Sequence, residues 1–158
     1  MAGKNEKTNV MRTLDAAGIS YKCHCYGDGQ AMSGAQVAEI LNEDPDRVFK
    51  TLVTVGRSRE HYVFMVPVNG ELNLKKAASA VGEKSIEMIR MKELLPLTGY
   101  VHGGCSPIGM KKQFVTVLDE TAFLYDTILF SAGKIGAQVE LDPNDLMQII
   151  PLRSAELT

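Results

Sequence analysis

Two runs rich in Val, Phe, Thr and Tyr, Arg47 to Gly56 and Glu60 to Asn69, flank the short polar stretch Gly56-Arg57-Ser58-Arg59. β-Branched and aromatic residues suit a pleated surface, and a short glycine-led connection returns the chain antiparallel to itself. An isolated hairpin is marginal in water, so a chain built on this one needs further elements to cover it. Within the first run Val48, Lys50, Leu52 and Thr54 alternate against Phe49, Thr51, Val53 and Val55, which puts Lys50 on a face with apolar neighbours. A lysine so placed either snorkels at the sheet margin or keeps its ammonium in a pocket.

The covering elements follow from local patterns. Val10, Leu14 and Ala17 recur at helical spacing between Thr8 and Ala17, and Gly18 stops the helix. Ile19 to Tyr26 alternates as a strand, with Ile19, Tyr21, Cys23 and Cys25 on an apolar face, and Gly27 to Gln30 reads as a loop. Ser33 caps a helix carrying Val37, Ile40 and Leu41, and Asp44-Pro45 breaks it. Asn73 caps a helix from Leu74 to Val81 that Gly82 terminates. Lys84 to Leu95 predicts a short strand and a capped turn ending at Pro96. Strands are expected over Phe114–Leu118, Thr127–Phe130 and Val139–Leu141, with a helical turn over Asp119–Leu124. Asp142-Pro143 opens a last helix, Asn144 to Ile149. Strand runs outnumber the helices between them, so the expected fold is α+β: one domain over 1–158, a central mixed and largely antiparallel sheet flanked by short helices. A length of 158 residues suits one core.

Composition removes several function classes. No stretch approaches the apolar length of a membrane span, Met1 to Asn9 is polar, and the protein is read as cytoplasmic. Three cysteines, Cys23, Cys25 and Cys105, make no disulfide framework and are expected to be reduced. A net charge of −2 means that a polyanion must be met by a local patch rather than the overall field, and neither DNA nor a membrane is implied as a partner.

The chemistry-bearing stretch is Thr98 to Lys112, where Gly99, Gly103, Gly104 and Gly109, together with Pro107, leave little side-chain bulk ahead of Lys111 and Lys112. Such a loop presents backbone N–H groups to an anion or a polarised carbonyl, or it is an ordinary turn between strands. A nucleophile elbow, a zinc-protease helix, a phosphate loop and a dinucleotide fingerprint are all missing from the sequence. Cys23, Cys25, His102 and Cys105 could supply zinc ligands by spacing, although strand and loop would have to bring them together. No metal or cofactor is expected. What remains is a site that positions an ester and polarises it.

Phe49-Lys50-Thr51-Leu52, followed by Gly103-Gly104-Cys105-Ser106-Pro107-Ile108-Gly109-Met110-Lys111-Lys112, resembles the YbaK/EbsC family of aminoacyl-tRNA deacylases. That family is related to the editing insertion domain of bacterial prolyl-tRNA synthetase. The resemblance runs from His24-Cys25-Tyr26 through Leu72-Asn73-Leu74-Lys75-Lys76 to Ser131-Ala132-Gly133-Lys134. It implies trans-acting hydrolysis of mischarged aminoacyl-tRNA, typified by Cys-tRNA(Pro), in which the substrate thiol attacks its own carbonyl and the enzyme supplies no nucleophile. By similarity Lys50 is the catalytic lysine, and Tyr26, Thr51, Gly103, Gly104, Ser106, Pro107, Gly109, Ser131 and Gly133 are substrate-binding. Lys75, Lys76, Lys111, Lys112 and Lys134 would meet tRNA, with prolyl-tRNA synthetase as a further partner. Two departures stand out: Gln138 replaces an aspartate of cysteine-specific members, and Cys105 replaces a commonly apolar residue. They leave open the amino acid removed, and they leave a non-hydrolytic module binding aminoacyl-tRNA or a synthetase as the alternative.

Overall fold

The computed structural model describes residues 7–26 and 32–158; the expected loop Gly27 to Gln30 lies outside them. In chain order the elements are α1 (Asn9–Ala16), β1 (Lys22–Cys25), α2 (Gly34–Ile40), β2 (Phe49–Gly56), β3 (His61–Pro67), α3 (Leu74–Val81), β4 (Ile86–Met88), α4 (Met91–Thr98), β5 (Val115–Asp119), β6 (Ile128–Ser131), β7 (Ala137–Leu141), α5 (Pro143–Ile149) and β8 (Leu152–Ala155). The capping residues read from sequence do cap. Thr8 Oγ1 accepts from Met11 N, Ser33 and Gln36 form a reciprocal box, and Asn73 accepts from Lys75 N and Lys76 N.

The β2–β3 hairpin forms in the expected antiparallel register, from Phe49 opposite Pro67 to Val55 opposite His61. The strands do not make one central sheet. They divide into a five-stranded sheet of order β4-β2-β3-β5-β8 and a three-stranded sheet of order β1-β7-β6. Pairings of β1 with β7, β6 with β7, β2 with β3 and β2 with β4 are antiparallel, while β3–β5 and β5–β8 are parallel. The division arises at the outer edge of β2. That edge pairs with β4 only over Thr54 to Gly56, and it meets the second sheet at the single parallel bridge Val48–Leu129. The largest cluster packs Val10, Leu14, Phe49, Met65, Leu118, Phe130 and Leu141 between the two sheets and α1, while Phe64, Val66, Val117 and Leu157 pack under α3.

Two local expectations are corrected, and one strand is added. α4 runs through Pro96 to Thr98 instead of stopping at it, and its start at Arg90 has no side-chain cap. Proline removes one intrahelical bond, which a short exposed helix tolerates; Gly99 ends the helix in the left-handed conformation at φ 87°. Cys23 and Cys25 are exposed instead of continuing the apolar face of Ile19 and Tyr21, because β1 is an edge strand and its half-buried residue is His24. Finally, the C-terminal strand β8 has no counterpart in the sequence reading. It is held by Asp119, fully buried, whose Oδ1 accepts from Leu157 N at 2.8 Å while Oδ2 accepts from Thr121 Oγ1 at 2.5 Å.

Candidate functional site

Between the Val48–Leu129 bridge and Val53, whose C=O accepts from Ile89 N at 3.4 Å, no described strand pairs with the outer edge of β2, and a cavity of about 450 Å³ opens there. Its wall collects Tyr26 from the end of β1, Lys50 and Thr51 from β2, His102, Gly103 and Cys105 from the glycine-rich loop, and Ser131 and Gln138 from β6 and β7. Ser131 and Gln138 are partners across the β6–β7 ladder, and Gln138 in turn faces His24 on β1. Five of the sequence-expected residues, Tyr26, Lys50, Thr51, Gly103 and Ser131, thus share one cavity.

The cavity wall is polar in an unbalanced way. Lys50 is half-buried, and its ammonium has no hydrogen bond or ion pair among the described residues. Thr51 Oγ1 and Gln138 Oε1 are both buried without a hydrogen-bond partner among the described residues. Native proteins rarely bury polar atoms unpaired, because each costs about 1–3 kcal/mol. Two such atoms on one cavity wall fit a site whose partners arrive with a ligand. Arg90 also lines the cavity, and no carboxylate does among the described residues. Two cations and no carboxylate among the described wall residues suit an anion or a developing oxyanion.

The glycine-rich loop is held in shape by the chain itself. Gly103 takes φ 89°, in the region that glycine occupies without strain. Gly104 has a different reason for being glycine: a Cβ there would lie 3.0 Å from Ile135 N and 3.1 Å from Lys134 Cα. The close approach is therefore made by the Ser131–Gly136 turn, and the two glycine turns are packed face to face. Tyr100, which the sequence reading passed over, pins them. Its hydroxyl donates to Ile108 C=O, and a Cβ on Gly109 or Gly133 would meet its ring or hydroxyl at 2.9 to 3.2 Å. Burial pushes its phenol up to about 12, so it remains a donor.

The other expected site residues lie outside the cavity wall. Ser106 and Pro107 are buried, and Ser106 Oγ accepts from Ile108 N at 3.4 Å. Gly133 N donates to Ser131 Oγ at 3.1 Å. None of Lys75, Lys76, Lys111, Lys112 and Lys134 lines it. Lys76 is paired with Glu156 and donates to Thr158 C=O at 2.7 Å, Lys111 reaches Pro96 C=O at 3.5 Å, and Lys112 sits 5.8 Å over the Phe114 ring. The cationic residue that the sequence reading missed is Arg90, whose short strand-to-helix junction carries no motif.

The zinc constellation does not assemble. Cys105 is buried with Val53, Val63 and Phe114, whereas Cys23 and Cys25 lie on the exposed strand with sulfurs 3.9 Å apart. Among the described residues, His24, Glu43 and Glu140 do bring ligand atoms together, but Arg47 already occupies that cluster, 3.0 Å from Glu140 Oε2 and 3.4 Å from Glu43 Oε1. Burial works against ionised Glu140, yet hydrogen bonds from Thr127 and His24 and the Arg47 charge hold its carboxyl below the usual range. This is a strand-joining network. Burial raises the Cys105 thiol to about 12, and burial with neighbouring Cys25 raises Cys23 to about 11. Burial decides access, so labelling with a maleimide at pH 8 should modify the exposed Cys23 and Cys25 first and Cys105 only after unfolding. Peptide mass spectrometry over time checks the order; early modification of Cys105 would contradict its burial.

Residues 28–149 match the family model of the aminoacyl-tRNA editing domain. A candidate Cys-tRNA(Pro)/Cys-tRNA(Cys) deacylase of Enterococcus faecalis, EbsC, is 46% identical over 154 residues, covering 97% of this chain and 94% of that protein. The proline–tRNA ligase of Pelobacter propionicus is 34% identical over 85 residues, 54% of this chain but 15% of the ligase. Among solved structures, a candidate trans-editing enzyme for prolyl tRNA synthetase superposes with a TM-score of 0.82 at 23% identity, covering 97% of this chain and 99% of that one. Hypothetical protein APE2540 superposes with a TM-score of 0.87 at 21% identity, covering 95% and 99%. Both share the fold.

Proposed function

The chain belongs to the aminoacyl-tRNA editing domain family, and on that premise we propose that it hydrolyses the ester joining a wrongly attached amino acid to the 3' end of tRNA, with Cys-tRNA(Pro) as its first substrate. The observation that carries this reading is the Lys50 ammonium, with no hydrogen bond or ion pair among the described residues, in a cavity whose described wall holds no carboxylate, beside the buried Thr51 Oγ1 and Gln138 Oε1, which also lack a partner among those residues. Lys50 meets the ester carbonyl and stabilises the oxyanion as it forms, with Gly103 lining the same cavity. Thr51 and Gln138 accept from the amino acid's ammonium or thiol, and Tyr26 and Ser131 close the wall around it.

The attacking group comes from the substrate or from water. Among the described residues the thiol on the cavity wall is that of Cys105, and burial keeps it protonated. For a cysteinyl ester, the substrate sulfur bonds to the carbonyl carbon, the bond to the ribose oxygen breaks, and that oxygen leaves with a proton as the free 3'-terminal hydroxyl. Water then opens the thiolactone to free cysteine. Tight tRNA binding would need more cations than the cavity's Lys50 and Arg90, so prolyl-tRNA synthetase is the partner expected to deliver the tRNA, in the cytoplasm. No helix among the described residues is long and apolar enough to cross a membrane.

The experiment is release of labelled amino acid from Cys-tRNA(Pro), Ala-tRNA(Pro) and Ser-tRNA, with and without the synthetase. Cysteine is expected to leave fastest. Retained tRNA binding with no release from any substrate would favour the non-hydrolytic module that Gln138, an amide in place of a carboxylate, keeps in view.

A further inference from the structure

The edge strand β1 carries two side chains for which the ester chemistry has no use. Cys23 and Cys25 are two residues apart on it, so both leave the same face. Both are exposed, and their sulfurs lie 3.9 Å apart. Their partners across the β1–β7 ladder are Val139 and Ala137, whereas the intervening His24 faces Gln138, which lines the cavity. The two thiols therefore stand on the opposite face of β1 from the cavity wall.

Adjacent thiols either close to a disulfide or share an ion, and the strand decides between them. Residues i and i+2 of a strand are about 6.6 Å apart at Cα, at ~3.3 Å per residue, close to the ~6.8 Å limit of a disulfide. Their Cβ atoms repeat at the same spacing, well beyond the ~4.5 Å that a disulfide spans. Closing the S–S bond would pucker β1 and disturb its pairing with β7. An ion between the sulfurs asks for no such movement. At bonds of about 2.3 Å, the length of a zinc–thiolate bond, sulfurs 3.9 Å apart subtend about 116° at a shared ion. That angle is bent, and it leaves a third position open towards solvent.

The donor set selects the ion. Among the described residues no third histidine, cysteine or carboxylate converges on the pair. Zinc takes three or four protein ligands in its usual sites, so two thiolates suit it poorly. Cu(I) is softer, prefers thiolate donors and accepts low coordination numbers. Charge agrees with that choice. Two thiolates around Cu(I) keep one negative charge, and the Lys134 ammonium, whose charge favours the Cys23 thiolate, offsets it.

We propose that Cys23 and Cys25 form a two-thiolate site for Cu(I), with the third position open to an external thiol. Binding joins one Cu(I) to both sulfurs and releases two protons to solvent, with no change of oxidation state. The site neither uses nor needs the ester chemistry at Lys50.

The test is anaerobic titration of the reduced full chain with Cu(I) held by bicinchoninate, whose visible band fades as the protein takes the ion. One equivalent should transfer, and affinity should rise with pH because protons leave as the ion enters. Cys23→Ser and Cys25→Ser, both at exposed positions and checked by thermal melt, should each weaken binding at least about 100-fold. X-ray absorption of the loaded protein should show sulfur in the first shell of copper. No transfer from bicinchoninate, or transfer that survives in the double variant Cys23→Ser with Cys25→Ser, would overturn the site. A Cys23–Cys25 disulfide that forms readily with glutathione disulfide, seen as the loss of two hydrogens in the peptide mass, would overturn the argument from strand geometry and make the pair a redox dithiol instead.

Discussion

Replacing Lys50 by alanine is expected to lower kcat for amino acid release about 100- to 1000-fold while leaving the melting temperature nearly unchanged. The magnitude is that of removing one preorganised donor from a developing oxyanion. Stability should hold because the ammonium makes no hydrogen bond or ion pair among the described residues, so its loss strands no buried partner there. The half-buried stem contributes only modest packing against the strand. Lys50→Arg is the sharper variant. It keeps the charge, but a planar fork on a longer stem does not place it at the same point, and a loss of activity there separates position from charge. The measurement is single-turnover release from Cys-tRNA(Pro) beside a thermal melt. Undiminished turnover in Lys50→Ala would remove Lys50 from the chemistry and leave the cavity as a binding site.

The role of Lys50 also marks how far the sequence could be read. The hairpin, the caps at Thr8, Ser33 and Asn73 and the helical turn after Asp119 were legible because each depends on residues within a few positions of one another. Whether Lys50 snorkels or sits in a pocket was not, because the pocket exists only where β4 and Leu129 leave the edge of β2 unpaired, and both are distant in sequence. The same reason hides the two-sheet division, and it hides the meaning of Gln138, whose orphaned oxygen is visible only once β7 faces the cavity. β8 escaped for a different reason. It has Leu152 and Ala155 around the exposed Arg153 and Ser154, with too little alternation to announce an edge strand, and its anchor is the distant carboxylate of Asp119. The basic residues were legible as charges but not as a patch: the lysines expected to meet tRNA lie off the cavity, and Arg90 lies on it with Lys50.

Gly104→Ala is expected to cost about 2 kcal/mol of stability and at least tenfold in kcat/KM, and Gly104→Val more of both. The added Cβ would meet main-chain atoms of Lys134 and Ile135 at 3.0 to 3.1 Å. Backbone cannot swing aside as a side-chain end can, so the two glycine turns must separate by a few tenths of an ångström, and overpacking of this kind costs about 1–3 kcal/mol. For a chain of 158 residues, about 2 kcal/mol lowers the melting temperature by roughly 4–8 °C. Activity should fall further than stability requires. Gly103 precedes the contact on one turn and Ser131 opens the other, and both line the cavity, so opening the seam moves the two sides of the site apart. Displacements well under an ångström in a positioning site are felt strongly in rate. Tyr100→Phe makes the complementary test, since it removes the hydroxyl that holds Ile108 C=O while adding no bulk at the seam. A melting temperature and a kcat/KM for Gly104→Ala that both match wild type would show that the turns are free to part, and that the shape of the site does not depend on their contact.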